Sequence, residues 1–251
     1  TKFCIYLCRL FSDSVSAGGC RSETDSENRL DKQGGIAMAE VIKVEHIEKS
    51  FKKHKVLKDV SLTCESGKIY GIVGYNGSGK SVLFKCISGF YLVEKGTITV
   101  RGKMVGKDMD VVQNLGTIIE EPAFIKQYSG LKNLELLYMI NHKKNREYVK
   151  ESMRKVGLDP ELKKPVGKYS LGMKQRLAIA QATMENQDIL ILDEPMNGLD
   201  KDGVEQMRKL FLSFKEEGKT LLLASHNRED IELLCDEVYE MEHGRLHKLE
   251  R

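Results

Sequence analysis

A glycine-rich stretch at residues 74–81, GYNGSGKS, constrains this chain more than any other part of its sequence. It fits the pattern G-x-x-x-x-G-K-[ST], in which glycines let successive backbone N–H groups curl around a phosphate group. In that pattern Lys80 can reach β- and γ-phosphates, and the Ser81 hydroxyl can bind Mg²⁺. The stretch therefore predicts a phosphate-binding loop, and the alternative is a strand-to-helix turn that binds nothing.

The segments on both sides of this loop have the pattern that such a loop requires. Residues 69–73 form a short apolar run that predicts a buried strand. Residues 81–88 predict a helix that ends at Gly89. The dipole at the N-terminus of that helix would point at the phosphates, which strengthens the prediction of an anion site.

The composition is that of an ordinary globular protein. The 251 residues are 41% hydrophobic and 31% charged, with a net charge of +3. Because this positive balance is weak and no stripe of Lys and Arg stands out, we expect no nucleic acid partner. No stretch approaches the length of a membrane-spanning helix. The cysteines lack metal-like spacing, which favours buried free thiols in a reducing cytosol. They are Cys4, Cys8, Cys20, Cys64, Cys86 and Cys235.

Residues 1–37 differ from the rest of the chain. They are rich in Ser, Gly and mutually cancelling charges and show no sustained periodicity, which is typical of a disordered or non-native leader. Gly34 and Gly35 stand shortly before Met38, and a Gly-Gly codon pair can contain a purine-rich ribosome-binding sequence. We therefore expect the native protein to start at Met38. A secretory signal is the rival interpretation, but the apolar stretch lacks a preceding basic region.

A second strong signal lies at residues 188–195, DILILDEP. Four consecutive aliphatic residues predict a fully buried strand, and open α/β sheets place their chemistry at the carboxyl ends of such strands. Asp193 would hold Mg²⁺, directly or through water. Glu194 could orient or deprotonate an attacking water. Taken alone, this pattern would favour a simple surface turn. Because the same chain contains a phosphate loop, we expect the two carboxylates to act together with that loop.

Two further side chains each have a structural and a functional interpretation. Residues 220–225 predict another buried strand, and His226 follows it. A lone histidine is usually structural, but at the exit of a strand beside the first two it could touch a γ-phosphate. Phe51, which precedes the phosphate loop, could stack on an adenine ring or belong to the core.

The remaining pattern divides the chain into a strand-rich part and a helical part. Residues 41–47, 60–64 and 98–100 predict strands, with a turn at Lys95 and Gly96. Between Leu131 and Met184 apolar residues recur at helical spacing, which predicts helices that belong to the core. After residue 226 we expect a helix over 228–235, a strand over 238–241 and a turn at residues 243–244.

Three short motifs connect these pieces to a known family. Residues 169–173 are YSLGM, residues 197–200 are NGLD, and Ser225 precedes His226. In this order, and over about residues 41–249, the chain resembles the nucleotide-binding domain of ATP-binding cassette (ABC) proteins. The first motif is similar to the family signature L-S-G-G-Q. It departs from that signature at Tyr169, Leu171 and Met173, whereas Ser170 and Gly172 are retained.

The resemblance implies an α/β fold with a P-loop NTPase core, an antiparallel β subdomain and an inserted α-helical subdomain at about residues 124–184. These parts would form one nucleotide-binding domain over residues 38–251. It implies ATP and Mg²⁺ as cofactors, catalytic roles for Glu194 and His226, and metal ligation by Ser81, Asp193 and Glu120. The residues implied to bind ATP are Phe51, Gly74, Tyr75, Asn76, Gly77, Ser78, Gly79, Lys80, Ser81, Val82, Glu120, Ser170, Gly172 and Asp200.

Glu120 is a departure from the family pattern. It stands in the segment IIEEP, at the position where most members carry a glutamine. A glutamate there, together with a YSLGMKQRL signature, is similar to the bacitracin and lantibiotic export and immunity branch. We therefore expect a bacterial exporter of the antimicrobial peptide type.

The same resemblance implies the partners. One is a separate polytopic membrane permease, which would place this chain at the cytoplasmic face of a bacterial cell membrane. The other is a second ATP-binding cassette, in a homodimer or a heterodimer, with each phosphate loop closed by the partner's signature. The alternative function is a soluble ABC-type ATPase that acts on ribosomes or DNA. A small-molecule kinase with a phosphate loop would leave the signature unexplained.

Overall fold

The structure is a computed structural model that describes residues 39–250. Its elements are, in chain order, β1 (Glu40–Phe51), β2 (His54–Glu65), β3 (Ile69–Val73), α1 (Lys80–Ile87), β4 (Lys95–Val100), β5 (Lys103–Met104), β6 (Leu115–Ile118), α2 (Gly130–Asn141), α3 (Arg146–Lys155), α4 (Leu171–Thr183), β7 (Ile189–Asp193), α5 (Lys201–Glu216), β8 (Thr220–Ala224), α6 (Arg228–Leu234), β9 (Glu237–Glu242) and β10 (Arg245–Leu249).

Two sheets organise the described part of the chain. A four-stranded antiparallel sheet has the order β2-β1-β4-β5, and a six-stranded sheet has the order β10-β9-β3-β8-β7-β6. From β9 to β6 the neighbours in the larger sheet are parallel, and β10 returns antiparallel to β9. The α/β fold class is therefore confirmed, with its antiparallel β subdomain, and α2, α3 and α4 form the inserted helical segment.

The central strands form because their sequences are aliphatic on both faces. Along β7, Leu190 and Leu192 pack into one hydrophobic cluster, whereas Ile189 and Ile191 pack into another on the opposite face. The first cluster includes the helical segment and α5, and the second includes α1 and the antiparallel sheet. A parallel sheet covered on both faces needs continuous apolar strands, as the sequence predicted.

Side chains that accept backbone hydrogen bonds set the starts of two helices in the inserted segment. The Ser129 hydroxyl accepts from the backbone N–H of Lys132 at the start of α2, and Ser170 accepts from Met173 at the start of α4. Each cap satisfies one of the donors that a helix N-terminus leaves unpaired. The signature residues therefore form the N-terminus of α4.

The predicted turn at Lys95 and Gly96 is wrong, because both residues lie in β4. The pairing of β1 with β4 shifts register between Glu45 and Glu48, which requires a bulge there. Gly96 has φ 76°, and a Cβ at this position would lie 2.3 Å from the Glu45 carbonyl oxygen. The glycine thus permits an irregular strand rather than ending it.

Other expectations have mixed outcomes. Cys64, Cys86 and Cys235 are buried free thiols, as expected. The predicted leader at residues 1–37, with Cys4, Cys8, Cys20 and the proposed start at Met38, lies outside the described residues. Over residues 39–250 none of the helices has the length and apolarity needed to cross a membrane.

Candidate functional site

The order of the central strands brings the predicted site together. Strand β8 lies between β3 and β7, and all three run parallel. Their carboxyl ends therefore meet at one edge of the sheet. The phosphate loop follows β3, His226 follows β8, and Asp193 ends β7. Glu120 follows β6, the neighbour of β7, and reaches the same edge.

The phosphate loop curls around its own lysine. The Lys80 ammonium donates to the carbonyl oxygens of Gly74 and Tyr75, at 2.5 and 3.2 Å. Gly79 precedes α1 with φ 119°, a conformation that residues with a Cβ rarely adopt. The first α-helical turn then presents its free N–H groups and positive dipole end to the loop, which suits a phosphate.

Two oxygen donors for a divalent cation lie beside this loop. The Ser81 hydroxyl donates to Asp193 Oδ2 at 2.5 Å. A hydroxyl and a carboxylate supply the hard oxygen ligands that Mg²⁺ prefers, and Mg²⁺ usually takes its other ligands from phosphates and water. Across residues 39–250 no cluster of three His, Cys, Asp or Glu side chains could hold a metal by protein ligands alone. Ser81 and Asp193 therefore fit a Mg²⁺ ion that is shared with a nucleotide.

Glu194 has the surroundings of a general base. Its backbone adopts φ 51°, which is uncommon for a residue other than glycine, and its N–H donates to the Ala224 carbonyl oxygen at 2.9 Å. Burial raises the pKa of this carboxyl above its ordinary value, against the opposing effect of His226. The Oε1 atom is buried and has no hydrogen-bond partner among residues 39–250. A partly desolvated carboxylate oxygen that accepts no hydrogen bond is suited to accept a proton from water.

His226 joins the phosphate loop to Glu194. Its Nε2 atom lies 2.9 Å from Asn76 Oδ1 in the loop, and its backbone N–H donates to Glu194 Oε2 at 3.4 Å. The same Nε2 atom is 3.3 Å from Glu194 Oε1. His226 therefore lies where a γ-phosphate, the loop and the carboxylate would meet.

Glu120 lies in a strained backbone conformation at the exit of β6. Its φ is 141°, a region that is essentially reserved for glycine. Its side chain forms an ion pair with Lys85 of α1. Strain of this kind persists only where the surrounding structure imposes it, and it is concentrated at functional positions.

A cleft of about 710 Å³ runs along this edge of the sheet. The predicted site residues that line it are Asn76, Gly77, Gly79, Lys80, Ser81, Val82, Glu120, Asp193, Glu194 and His226. The predicted residues outside its lining are Phe51, Gly74, Tyr75, Ser78, Ser170, Gly172 and Asp200. Of these, Gly74 and Tyr75 still bond to Lys80, as described above.

The residues outside the cleft have clear structural surroundings. Phe51 is 39% exposed, and its ring packs edge-on against Tyr91 with centroids 5.2 Å apart. Ser170 and Asp200 cap α4 and α5 and remain exposed. A Cβ on Gly172 would lie 2.7 Å from the Gly198 carbonyl oxygen, so the signature packs closely on the NGLD loop. This packing leaves Ser170 on the surface.

Sequence reasoning missed two residues that support the site. Gln175 of α4 donates through Nε2 to the Glu194 carbonyl oxygen at 3.3 Å, and Lys85 pairs with Glu120. Lys85 lies one helical turn beyond Ser81, which placed it near the site in sequence. No sequence signal indicated that Gln175 would reach Glu194, the residue after β7.

Comparison with known proteins places this geometry in context. The family model described as ABC transporter matches residues 57–197. The uncharacterized ABC transporter ATP-binding protein YybJ of Bacillus subtilis is 42% identical, over 84% of this chain and 97% of that protein. The bacitracin transport ATP-binding protein BcrA of Bacillus licheniformis is 37% identical, over 83% of this chain and 69% of that protein. The lantibiotic transport ATP-binding protein SrtF of Streptococcus pyogenes is 34% identical, over 82% of this chain and 89% of that protein.

The fold also matches solved structures. The dimeric post-hydrolysis structure of the ATP-binding cassette MJ0796, bound to ADP and Pi, superposes with a TM-score of 0.74. The match covers 84% of this chain and 99% of that one, at 22% identity. At this identity the similarity establishes a shared fold.

Proposed function

The chain belongs to the ABC transporter family as an ATP-binding ATPase subunit, and from this membership we propose that it powers a bacterial exporter of antimicrobial peptides. The family resemblance inferred from the sequence is confirmed. The peptide class is supported by the bacitracin and lantibiotic transport relatives and by Glu120 at the position where most members carry glutamine. The observation that carries the ATPase role is the convergence of the phosphate loop, Asp193, Glu194 and His226 at one sheet edge.

In the proposed mechanism, residues of this chain first bind and orient ATP. Glu194 then accepts a proton from water. The loop amides and Lys80 bind the β- and γ-phosphates, while Ser81 and Asp193 would hold Mg²⁺. When bound, this ion supplies positive charge that offsets the charge developing on the phosphate oxygens. Glu194 takes a proton from the attacking water, and His226 contacts the γ-phosphate.

The remaining predicted residues act around this centre in the proposal. Phe51 stacks on the adenine ring, and Glu120 approaches the metal when the nucleotide is bound. Ser170, Gly172 and Asp200 act on a second cassette, whose ATP they would help to enclose. Ser170 and Asp200 are exposed, and all three residues lie outside the cleft of their own chain, which supports a role in trans.

We place the working assembly at the cytoplasmic face of a bacterial membrane, with a separate polytopic permease and two cassettes. ATP would bind the closed pair better than the open pair, so hydrolysis would reopen it. A switch of this kind needs only a difference in affinity between the two states.

The test is to purify the Glu194→Gln variant from its native cells in detergent with ATP and Mg²⁺, and to identify what accompanies it by mass spectrometry. A polytopic membrane protein in stoichiometric amount is the expected result. The Lys80→Met variant, prepared in parallel, controls for carry-over of abundant membrane proteins. Ribosomal or DNA-repair proteins in place of a permease would overturn the transporter assignment and leave the ATPase chemistry standing.

A second prediction concerns Glu120. Replacing it by glutamine is expected to leave ATP binding intact but to lower the amount of peptide transported per ATP hydrolysed about fivefold or more. The reason is that the Glu120 carboxylate forms an ion pair with Lys85 in the structure and would also be attracted to Mg²⁺ once that ion is bound. The measurement is transport and ATPase activity of the permease complex in vesicles.

Glu121 provides the matched control for this variant. It is the next residue along the chain, it is exposed and it lines the same cleft. Glu121→Gln removes the same charge one position away. It is expected to keep the normal amount of peptide transported per ATP hydrolysed. Equal ratios in wild type and Glu120→Gln would show that Glu120 has no special role.

A further inference from the structure

Three buried polar side chains next to the His226 loop are joined by hydrogen bonds. They are Ser225 at 6% exposure, Asp230 of α6 at 2% and Arg208 of α5 at 6%. Ser225 directly precedes His226 in the motif described above, whereas Asp230 and Arg208 belong to none of the motifs. Buried polar and charged groups are costly unless paired, so their arrangement calls for a physical reason.

The two carboxylate oxygens of Asp230 have separate partners. Arg208 donates to Oδ1 through both Nε and Nη2, at 2.9 and 2.5 Å. The Ser225 hydroxyl donates to Oδ2 at 3.3 Å. That hydroxyl in turn accepts from the backbone N–H of Asn227 at 3.1 Å. The residues immediately before and after His226 are therefore both held by this chain of hydrogen bonds.

The position of His226 depends on such support because much of its side chain is not enclosed by other residues. The imidazole is about half exposed, and its contact with Asn76 is made to a residue on an exposed loop. Its orientation therefore depends on the backbone between Ser225 and Asn227 as well as on its contacts with Asn76 and Glu194. Ser225 and Asp230 also line a second cavity, of about 410 Å³, together with Glu194 and His226. The support thus reaches the same space as the proposed catalytic groups.

Stability alone is a poor explanation for this arrangement. A buried ion pair repays little more than the cost of removing two charges from water, and apolar residues of similar size often do as well. A paired carboxylate that also accepts from a hydroxyl does, however, fix the direction of that hydroxyl. Fixed direction is what a loop carrying a phosphate-contacting histidine needs.

We propose that Ser225, oriented by the Asp230–Arg208 ion pair, is a positioning residue for His226. It holds the His226 loop so that the imidazole meets the γ-phosphate beside Glu194. The proposal rests on the role proposed above for His226 and assigns to α5 and α6 a part in catalysis that they exert through Ser225.

The test compares Ser225→Ala with Ser225→Thr, which restores the hydroxyl. Ser225→Ala is expected to lower kcat about tenfold, the effect of losing roughly one well-placed hydrogen bond, while ATP affinity measured with a fluorescent analogue stays within about twofold. Ser225→Thr recovers most of kcat, and Asp230→Asn lowers kcat as Ser225→Ala does. Glu232→Gln, which breaks the exposed Arg228–Glu232 pair on the same helix, is the matched control and keeps kcat.

A double-mutant cycle separates positioning from general destabilisation. In a His226→Ala background, Ser225→Ala is expected to cause no further loss of kcat, because the group that it positions is gone. A further tenfold loss in that background, or a normal kcat for Ser225→Ala alone, would overturn the positioning role. A normal kcat for His226→Ala alone would overturn the proposed role of His226 itself, and the positioning role with it.

Discussion

Glu194→Gln is expected to slow ATP hydrolysis about a hundredfold or more while ATP remains bound. Glutamine keeps the size of the side chain and its hydrogen-bonding reach but cannot accept a proton from water. Because the phosphate loop and Lys80 are untouched, the variant still binds ATP. We therefore expect it to accumulate as an ATP-stabilised dimer, which size-exclusion chromatography with and without ATP would detect.

The structure explains why this one carboxylate should dominate the chemical step. The Glu194 backbone is held by its bond to Ala224 and by the amide of Gln175, which restricts the positions open to the carboxylate before substrate arrives. Among the described residues its Oε1 atom lacks a hydrogen-bond partner and has the His226 Nε2 atom 3.3 Å away, so it can still engage a water molecule. Preorganised groups of this kind cost no rearrangement at the moment of reaction.

A pH profile provides an independent check on the same residue. Burial raises the pKa of Glu194, so the fraction of active carboxylate falls as the pH is lowered through that raised value. The wild-type rate should therefore decline at a higher pH than an ordinary glutamate would cause, and Glu194→Gln should lack this limb. Glu217→Gln, an exposed change at the end of α5, serves as control. Near-normal turnover of Glu194→Gln would rule out its role as base.

The sequence predicted the parts of the fold that depend on local pattern. The aliphatic runs of β3, β7 and β8 could be identified because a strand buried on both faces has almost no polar residues. The phosphate loop could be identified because its glycines, lysine and serine have fixed spacing. The convergence of these strand ends also followed from sequence, since open α/β sheets place their sites at that edge.

Elements whose pattern is mixed were missed. Helix α5 was not predicted, although Met207, Phe211 and Phe214 are spaced as on one helical face and Asp200 caps its first turn. Charged residues between them obscured that spacing, so the signal was present but unused. The bulge at Gly96 had no such signal, because a glycine that ends a strand and one that bends it look alike in sequence.

Contacts between distant side chains could not be predicted at all. Arg208 and Asp230 lie on different helices, and nothing in the sequence specifies how α5 and α6 face each other. The same holds for Gln175 and Glu194. Such pairs depend on the packing of whole elements, whereas the motifs depend only on residues that are neighbours in the chain.

Lys80→Met is expected to weaken ATP binding by about tenfold to a hundredfold, as charge-assisted hydrogen bonds to the phosphates are lost, and to abolish measurable hydrolysis. The Lys80 ammonium is largely buried, and burial lowers its pKa, while the Asp193 and Glu194 carboxylates act to keep it protonated. The loop thus holds a desolvated positive charge that a bound phosphate would stabilise further. Isothermal titration with ATP and a phosphate-release assay measure the two effects.

Lys126→Met is the matched control, because Lys126 lines the same cleft but lies outside the phosphate loop. If positive charge anywhere in the cleft were sufficient, both variants would lose affinity equally, and the specific role of Lys80 would be wrong. Thermal unfolding distinguishes loss of binding from loss of fold. Methionine removes a buried charge and keeps most of the side-chain volume but loses the bonds to the Gly74 and Tyr75 carbonyl oxygens, so the unfolding midpoint without nucleotide should fall by no more than a few degrees. ATP should then raise that midpoint for the wild type and for Lys126→Met, but hardly for Lys80→Met, because a ligand stabilises a protein only in proportion to its binding.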